Sequence, residues 1–188
     1  MKKSIGPRTI LYPTPALIVG TYDKNGKANA MTAAWAGICC SRPPCVAVSI
    51  MKARYTHGNI VEKKAFTINI ASEAQVKAVD YFGIETGRKV DKFTVSGLTP
   101  VRSPLVDAPY IEECPLVLEC RLLHTVEIGS HTQFIGEILD VKAESSILNE
   151  EGLPEMEKAR PILYGPEKGN YFALGRKLGK AYSIGKDL

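Results

Sequence analysis

The residues with the most chemical promise stand where a β-prone run ends. Lys52-Ala53-Arg54-Tyr55-Thr56-His57-Gly58-Asn59-Ile60 follows Cys45-Val46-Ala47-Val48-Ser49-Ile50. Alternate residues of an extended chain point the same way, so Lys52, Arg54 and the Thr56 hydroxyl are expected to converge. Thr56 is expected to cap a short helix whose first N–H groups lack intrahelical partners. Two cations, a hydroxyl and a helix start suit a phosphate monoester. A solvated strand end with an ordinary cap accounts for the same residues equally well. Upstream, Asn29-Ala30-Met31-Thr32-Ala33-Ala34-Trp35 is a strand rich in small side chains. Such a surface lets a flat heteroaromatic ligand lie against backbone N–H and C=O groups, although a tightly packed barrel strand is the simpler account.

Other chemistries lack their motifs. No G-x-G-x-x-G lies between a strand and a helix, so a dinucleotide-binding fold is excluded. Gly175-Arg176-Lys177-Leu178-Gly179-Lys180-Ala181 has three residues between its glycines and Ala181 where a phosphate loop needs Ser or Thr. There is no G-x-S-x-G and no H-E-x-x-H. The three histidines, His57, His124 and His131, are too scattered to nominate a metal site. Five cysteines, Cys39, Cys40, Cys45, Cys114 and Cys120, form no CxxC and read as buried, reduced thiols. Cys40 stands just before Pro43-Pro44, near the candidate ligand region.

The elements that must position these residues are short. An Asn25-Gly26 turn joins the run from Leu17 to Tyr22 to the one from Lys27 to Ala34, a strong hairpin signal. Pro43-Pro44 excludes helix before the next strand. Phe66-Thr67-Ile68-Asn69-Ile70 is a fourth strand, and Ser72 caps a helix running through Val76, Val79 and Phe82 to end by Gly83. Residues 86–92 read as a polar loop. Leu116, Leu118, Cys120 and Leu122 alternate with Glu119 and Arg121, which predicts a half-buried strand with those two charges outward. A partner strand is expected over residues 132–141. Six or more short strands with brief helices outside them predict a mainly β barrel of Greek-key or meander type.

Composition sets the bounds. At 188 residues and 45% hydrophobic, the chain is expected to form one domain spanning 1–188, large enough to bury roughly 70% of its unfolded surface. Lys+Arg 24 against Asp+Glu 20 leaves +4, with no basic cluster that would point to nucleic acid. Part of that excess gathers at Lys52 and Arg54, and again at Arg88, Lys89 and Lys92. No run approaches 18 apolar residues and no signal peptide is evident, so a cytoplasmic address with no membrane association is expected.

Together, Tyr12-Pro13-Thr14-Pro15, the run from Asn29 to Trp35, Pro43-Pro44, Arg54-Tyr55-Thr56, Phe66-x-Ile68-Asn69, Asp91-Lys92-Phe93 after Thr86-Gly87, and Gly129-Ser130-His131-Thr132 follow one another in an order that resembles the flavin reductase-like family. Its flavoredoxin branch is the most similar, with kinship to archaeal ferric reductase. The resemblance covers roughly residues 10–185. It implies a six-stranded antiparallel Greek-key split barrel with FMN bound near the interface of a homodimer. It would assign Asn29, Met31, Thr32 and Ala33 to the isoalloxazine and ribityl surface. Met51, Lys52, Arg54, Tyr55 and Thr56 would take the ribityl phosphate, with Thr86, Gly87, Lys89 and Lys92 adding contacts. His131 would stand near the ring and the incoming reductant as the catalytic residue. Many reductases of the family carry Gly-Asp-His there, and Ser130 brings no charge to orient the imidazole.

The implied function is to pass reducing equivalents from NAD(P)H or a protein donor through FMN to flavin, ferric complexes or a redox protein. An FMN carrier or storage protein without NAD(P)H turnover is the alternative. An oligonucleotide-binding barrel would need an aromatic stacking face with basic flanks, and Trp35 with scattered tyrosines does not make one.

Overall fold

A computed structural model describes residues 1–186. Its strands are β1 (Thr14–Pro15), β2 (Leu17–Tyr22), β3 (Ala28–Ala33), β4 (Ala36–Ser41), β5 (Pro44–Met51), β6 (Ala65–Ile70), β7 (Pro100–Arg102), β8 (Pro109–Ile111), β9 (Leu116–Ile128), β10 (His131–Ala143), β11 (Leu163–Gly165) and β12 (Asn170–Phe172). The α-helices are α1 (Tyr55–Lys63), α2 (Val76–Ile84), α3 (Lys92–Ser96) and α4 (Met156–Ala159). The main sheet is antiparallel and seven-stranded in the order β3-β2-β6-β9-β10-β5-β4. That is one strand more than the family resemblance implies, and within the six or more read from the residues. The addition is β4 at the edge, which Gly37, Cys39, Cys40 and the following prolines disguise.

The sheet curls upon itself. Met31 and Ala33 of edge strand β3 share one apolar cluster with Val48 and Ile50 of β5, together with Phe66, Ile68, Leu118 and Phe134. A second cluster lies on the outer wall, where Ile18 and Ala30 meet Val79 and Phe82 of α2, Phe93 of α3 and Ile111 of β8. Strand β2 is therefore buried on both faces, with Leu17 and Val19 inward and Ile18 outward. That is why it reads as a continuous apolar run and not as an alternation. The Asn25-Gly26 turn forms as predicted, with Asp23 Oδ1 accepting from the N–H groups of Asn25 and Lys27 and Gly26 at φ 80.

Several local expectations change. Ser72 does start a capped turn, through a reciprocal Ser72–Gln75 pair on Glu73–Gln75, and α2 continues to Ile84. Asp91, at the end of the predicted polar loop, caps α3 by accepting from Thr94 N at 3.2 Å. Glu119 alternates with Leu118 and Cys120 as expected but is fully buried and not solvated, and Lys142 reaches across from β10 to meet its carboxylate at 2.9 Å. Cys45, Cys114 and Cys120 are buried as expected, whereas Cys39 and Cys40 are exposed on β4. No helix among the described residues is long and apolar enough to cross a membrane.

The wall is tightest at Gly20, where a Cβ would collide with the carbonyl of Pro109 and the hydroxyl of Thr67. The expected outcome for Gly20→Ala is a loss of about 1–3 kcal/mol, because backbone must move to relieve the overlap. Gly37→Ala, which meets nothing within 4 Å, should change stability by under about 0.5 kcal/mol. Urea midpoints of the two variants check this.

Candidate functional site

Strand β5 ends at Met51, and the chain turns through Lys52 and Ala53 before α1 begins at Tyr55. Arg54 sits at the N-cap with extended backbone, and no side chain caps the helix. Thr56 is not the cap. It lies one residue inside the helix, buried, with its hydroxyl accepting from Asn29 Nδ2 at 2.9 Å. The first turn of α1 carries no acidic residue, so no carboxylate of its own competes for its free N–H groups.

That space is a cavity of about 270 Å³. Asn29, Met31, Arg54, Tyr55, Thr56, Thr86, Gly87, Lys89 and Lys92 all line it, so nine of the residues singled out in the sequence come together. Arg88 and Glu85 complete the wall. Four cations thus face one carboxylate. Arg88 clips the loop to the turn, donating from Nη1 to Ala53 O at 3.1 Å while its guanidinium lies 5.1 Å from the Tyr55 ring centre. The Tyr55 hydroxyl donates to Asp23 Oδ2 at 2.9 Å, which ties the same turn to the β2–β3 hairpin.

Lys92 is buried, yet it holds its ammonium at the cavity by donating to the carbonyls of Ala30 at 2.7 Å and Phe82 at 2.9 Å. An ammonium has three donors, and these two bonds leave one. Burial, and then the nearby Arg54, lower its pKa to about 8. Asn29 supplies the complementary feature. Its Nδ2 also reaches Thr21 Oγ1 at 3.4 Å, while its buried Oδ1 has no partner. Gly87 stands directly over that oxygen, where a Cβ would collide with it. An orphaned acceptor calls for a donor. A ligand carrying an anion for the cations and a hydroxyl for Asn29 satisfies both.

Five predicted residues lie elsewhere, His131 among them. Thr32 faces the opposite side of β3 and donates to the Val79 carbonyl of α2, and Ala33 packs in the barrel core. Met51 is exposed at the end of β5, opposite His131 in register. Lys52 does not converge with Arg54, because the chain is already turning there and alternation no longer applies. It pairs instead with Glu127 of β9. That bond, then the Thr132 hydroxyl, holds the Glu127 carboxyl below its usual range. Thr132 donates to Glu127 Oε1 at 2.9 Å and has no second proton, so His57 Nε2, 2.8 Å away, is the donor to Thr132 Oγ1.

His131 opens β10, beyond the Gly129-Ser130 turn, with Ser130 Oγ 2.9 Å from its Nδ1. Trp35 lies against it, with ring centres 4.7 Å apart. Sequence reasoning left Trp35 without a role, and its half-exposed position after a strand of small residues was the available signal. A larger groove of about 550 Å³ adjoins it, lined by Trp35, Ser49 and Gln133 and by Leu11 from the N-terminal arm. No cluster of three or more metal-binding side chains occurs among the described residues.

With this geometry stand clear similarities to known proteins. Flavoredoxin of Desulfovibrio vulgaris (Miyazaki F) superposes with a TM-score of 0.95 at 53% identity, covering 99% of this chain and 100% of that one. Flavoredoxin from Methanosarcina acetivorans gives 0.93 at 33% identity, covering 100% and 98%. An FMN-binding protein from Thermus thermophilus gives 0.80 at 25% identity, covering 96% and 98%. The fold is thus the mainly β split barrel of flavin reductase-like proteins. Residues 9–172 match the description "Flavin reductase like domain", and the chain belongs to that family.

Proposed function

We propose that this chain is an FMN-binding oxidoreductase of the flavoredoxin type, with the cofactor's phosphate and ribityl chain in the cavity at the start of α1. The observation that carries this reading is the unpartnered Asn29 Oδ1 beneath a wall formed by Arg54, Arg88, Lys89 and Lys92. A phosphate dianion relieves the repulsion between Arg54 and Lys92 and receives the N–H groups of the uncapped helix. A ribityl hydroxyl supplies the donor that Asn29 lacks. Similarity to an FMN-binding protein from Thermus thermophilus supports the same ligand. When bound, the flavin supplies the electron-accepting ring that the protein's own side chains cannot.

His131 and Trp35 form the platform for the reductant, with Ser130 holding the imidazole in place without adding charge. Trp35, Met51, Val126 and Ile128 leave an exposed apolar patch around His131, and a second copy of the chain is the occupant we assign to it. The whole chain acts as one domain in the cytoplasm. Its donor is NAD(P)H or a reduced protein, and its acceptor is free flavin, a ferric complex or a redox protein. The neutral Ser130 beside His131 favours a second reading, an FMN electron carrier served by a protein partner with no turnover of nicotinamide.

The two readings separate on NADH and NADPH consumption by the FMN-loaded protein under anaerobic conditions. Bleaching of bound flavin by either nicotinamide supports the reductase, and bleaching only by a reduced protein donor supports the carrier. The phosphate placement has its own test. Arg54→Ala should weaken FMN binding roughly ten- to hundredfold, the loss of a charge-assisted bond, and leave riboflavin binding unchanged. Equal losses for both ligands would remove the phosphate from this cavity.

Lys92 makes binding pH-dependent. An anion in the cavity raises its pKa above the free value of about 8, so the complex holds more protons than the free protein. FMN affinity should be full below that pH and fall as pH rises through it. Titrations across this range check the slope, and Lys92→Met should abolish it.

A further inference from the structure

Strands β4 and β5 are joined by Arg42-Pro43, with Ser41 opposite Pro44 and Cys40 opposite Cys45. The register slips between Ile38 and Cys40, which makes Cys39 the extra residue and turns it toward the groove beside Trp35. Cys40 is left facing Cys45. Residues directly opposed in an antiparallel pair have Cα atoms about 4.5–5.5 Å apart, inside the range that a disulfide spans. Both thiols aim at the same turn. Cys40 Sγ donates to the Arg42 carbonyl and Cys45 Sγ to the Pro43 carbonyl, each at 3.4 Å.

We propose that Cys40 and Cys45 form a reversible thiol–disulfide couple at the tip of this hairpin, oxidised by low-molecular-weight disulfides. Cys40 is exposed and Cys45 buried, which sets the order of events. The Cys40 thiolate attacks one sulfur of the incoming disulfide, and one thiol leaves. The Cys45 thiolate then attacks Cys40 Sγ in the mixed disulfide, and the second thiol leaves. Two protein thiols lose two electrons, the small disulfide gains them, and the protons of Cys40 and Cys45 end on the two released thiols. Burial, then the neighbouring Cys40 sulfur, raises the Cys45 pKa, as suits the later, resolving position. Cys114, pushed up to about 12 by burial, and the equally enclosed Cys120 stay inert.

The couple lies at the opposite end of β5 from Met51 and His131, six residues or about 20 Å away. It therefore stands independently of where FMN binds. A disulfide so placed ties the edge strand to its neighbour, and its exposure makes it reducible. This is the pattern of a redox-sensing bond in a reducing compartment.

The test is incubation of the whole protein with oxidised glutathione, followed by denaturation, alkylation of free thiols and peptide mass mapping. Expected is the loss of two hydrogens from the segment holding Cys40 and Cys45, with alkylation of both falling about tenfold or more and restored by dithiothreitol. Cys39→Ser should behave like the parent, and Cys40→Ser, exposed and safe for folding, should leave Cys45 a free thiol. A lasting glutathione adduct on Cys40 with Cys45 free, a crosslink through Cys39, or no oxidation at either cysteine would each overturn the proposal.

Discussion

The side chain of Asn29 is the point on which the site depends. Its Nδ2 donates to Thr56 on α1 and reaches Thr21 on β2, and Thr21 also accepts from Asn59 Nδ2 at 3.1 Å. Four polar groups from two strands and one helix are thereby locked in a buried knot. The network holds the first turn of α1 against the hairpin. The one atom of the knot left without a partner, Oδ1, belongs to a residue that lines the cavity. Rigidity and vacancy thus come from opposite ends of the same amide.

A second tie secures the other side of the turn. Lys52, Glu127, Thr132 and His57 form a chain that joins the end of β5, both strands of the β9–β10 hairpin and α1. Through its pair with Glu127, Lys52 ties down the turn that carries Arg54. Burial lowers the His57 pKa against the opposing pull of Glu127, so the ring is held mainly by its hydrogen bond. Arg88 adds a third tie from the loop side, through Ala53 and the Tyr55 ring. The turn over residues 52–54 is anchored on every flank except the one facing the cavity.

Much of this was legible in the residues. The Asn25-Gly26 turn, the strand of small side chains and the cationic segments at 54 and 88–92 can be read directly, because local turn chemistry and charge need no tertiary context. What escaped depends on partners distant in sequence. Glu119 looks like a solvated charge until Lys142 is seen to cover it, and Thr56 looks like a cap until Asn29 is found beneath it. Lys52 follows an alternation that holds only within the strand, and Met51 is the last residue of β5. Strand β4 lacks any apolar rhythm because it forms an exposed edge, where burial imposes none.

Gly136 has a wider consequence. Its bare Cα admits the Phe66 ring, whose atoms would lie within 2.5–2.8 Å of any Cβ there, and Phe66 and Phe134 close the middle of the barrel. Packed side chains fill the middle of the barrel, and the cavity at the start of α1 lies at its rim. None of residues 52–56 or 85–92 belongs to either apolar cluster. The wall is solid, and the cationic cavity hangs from its rim.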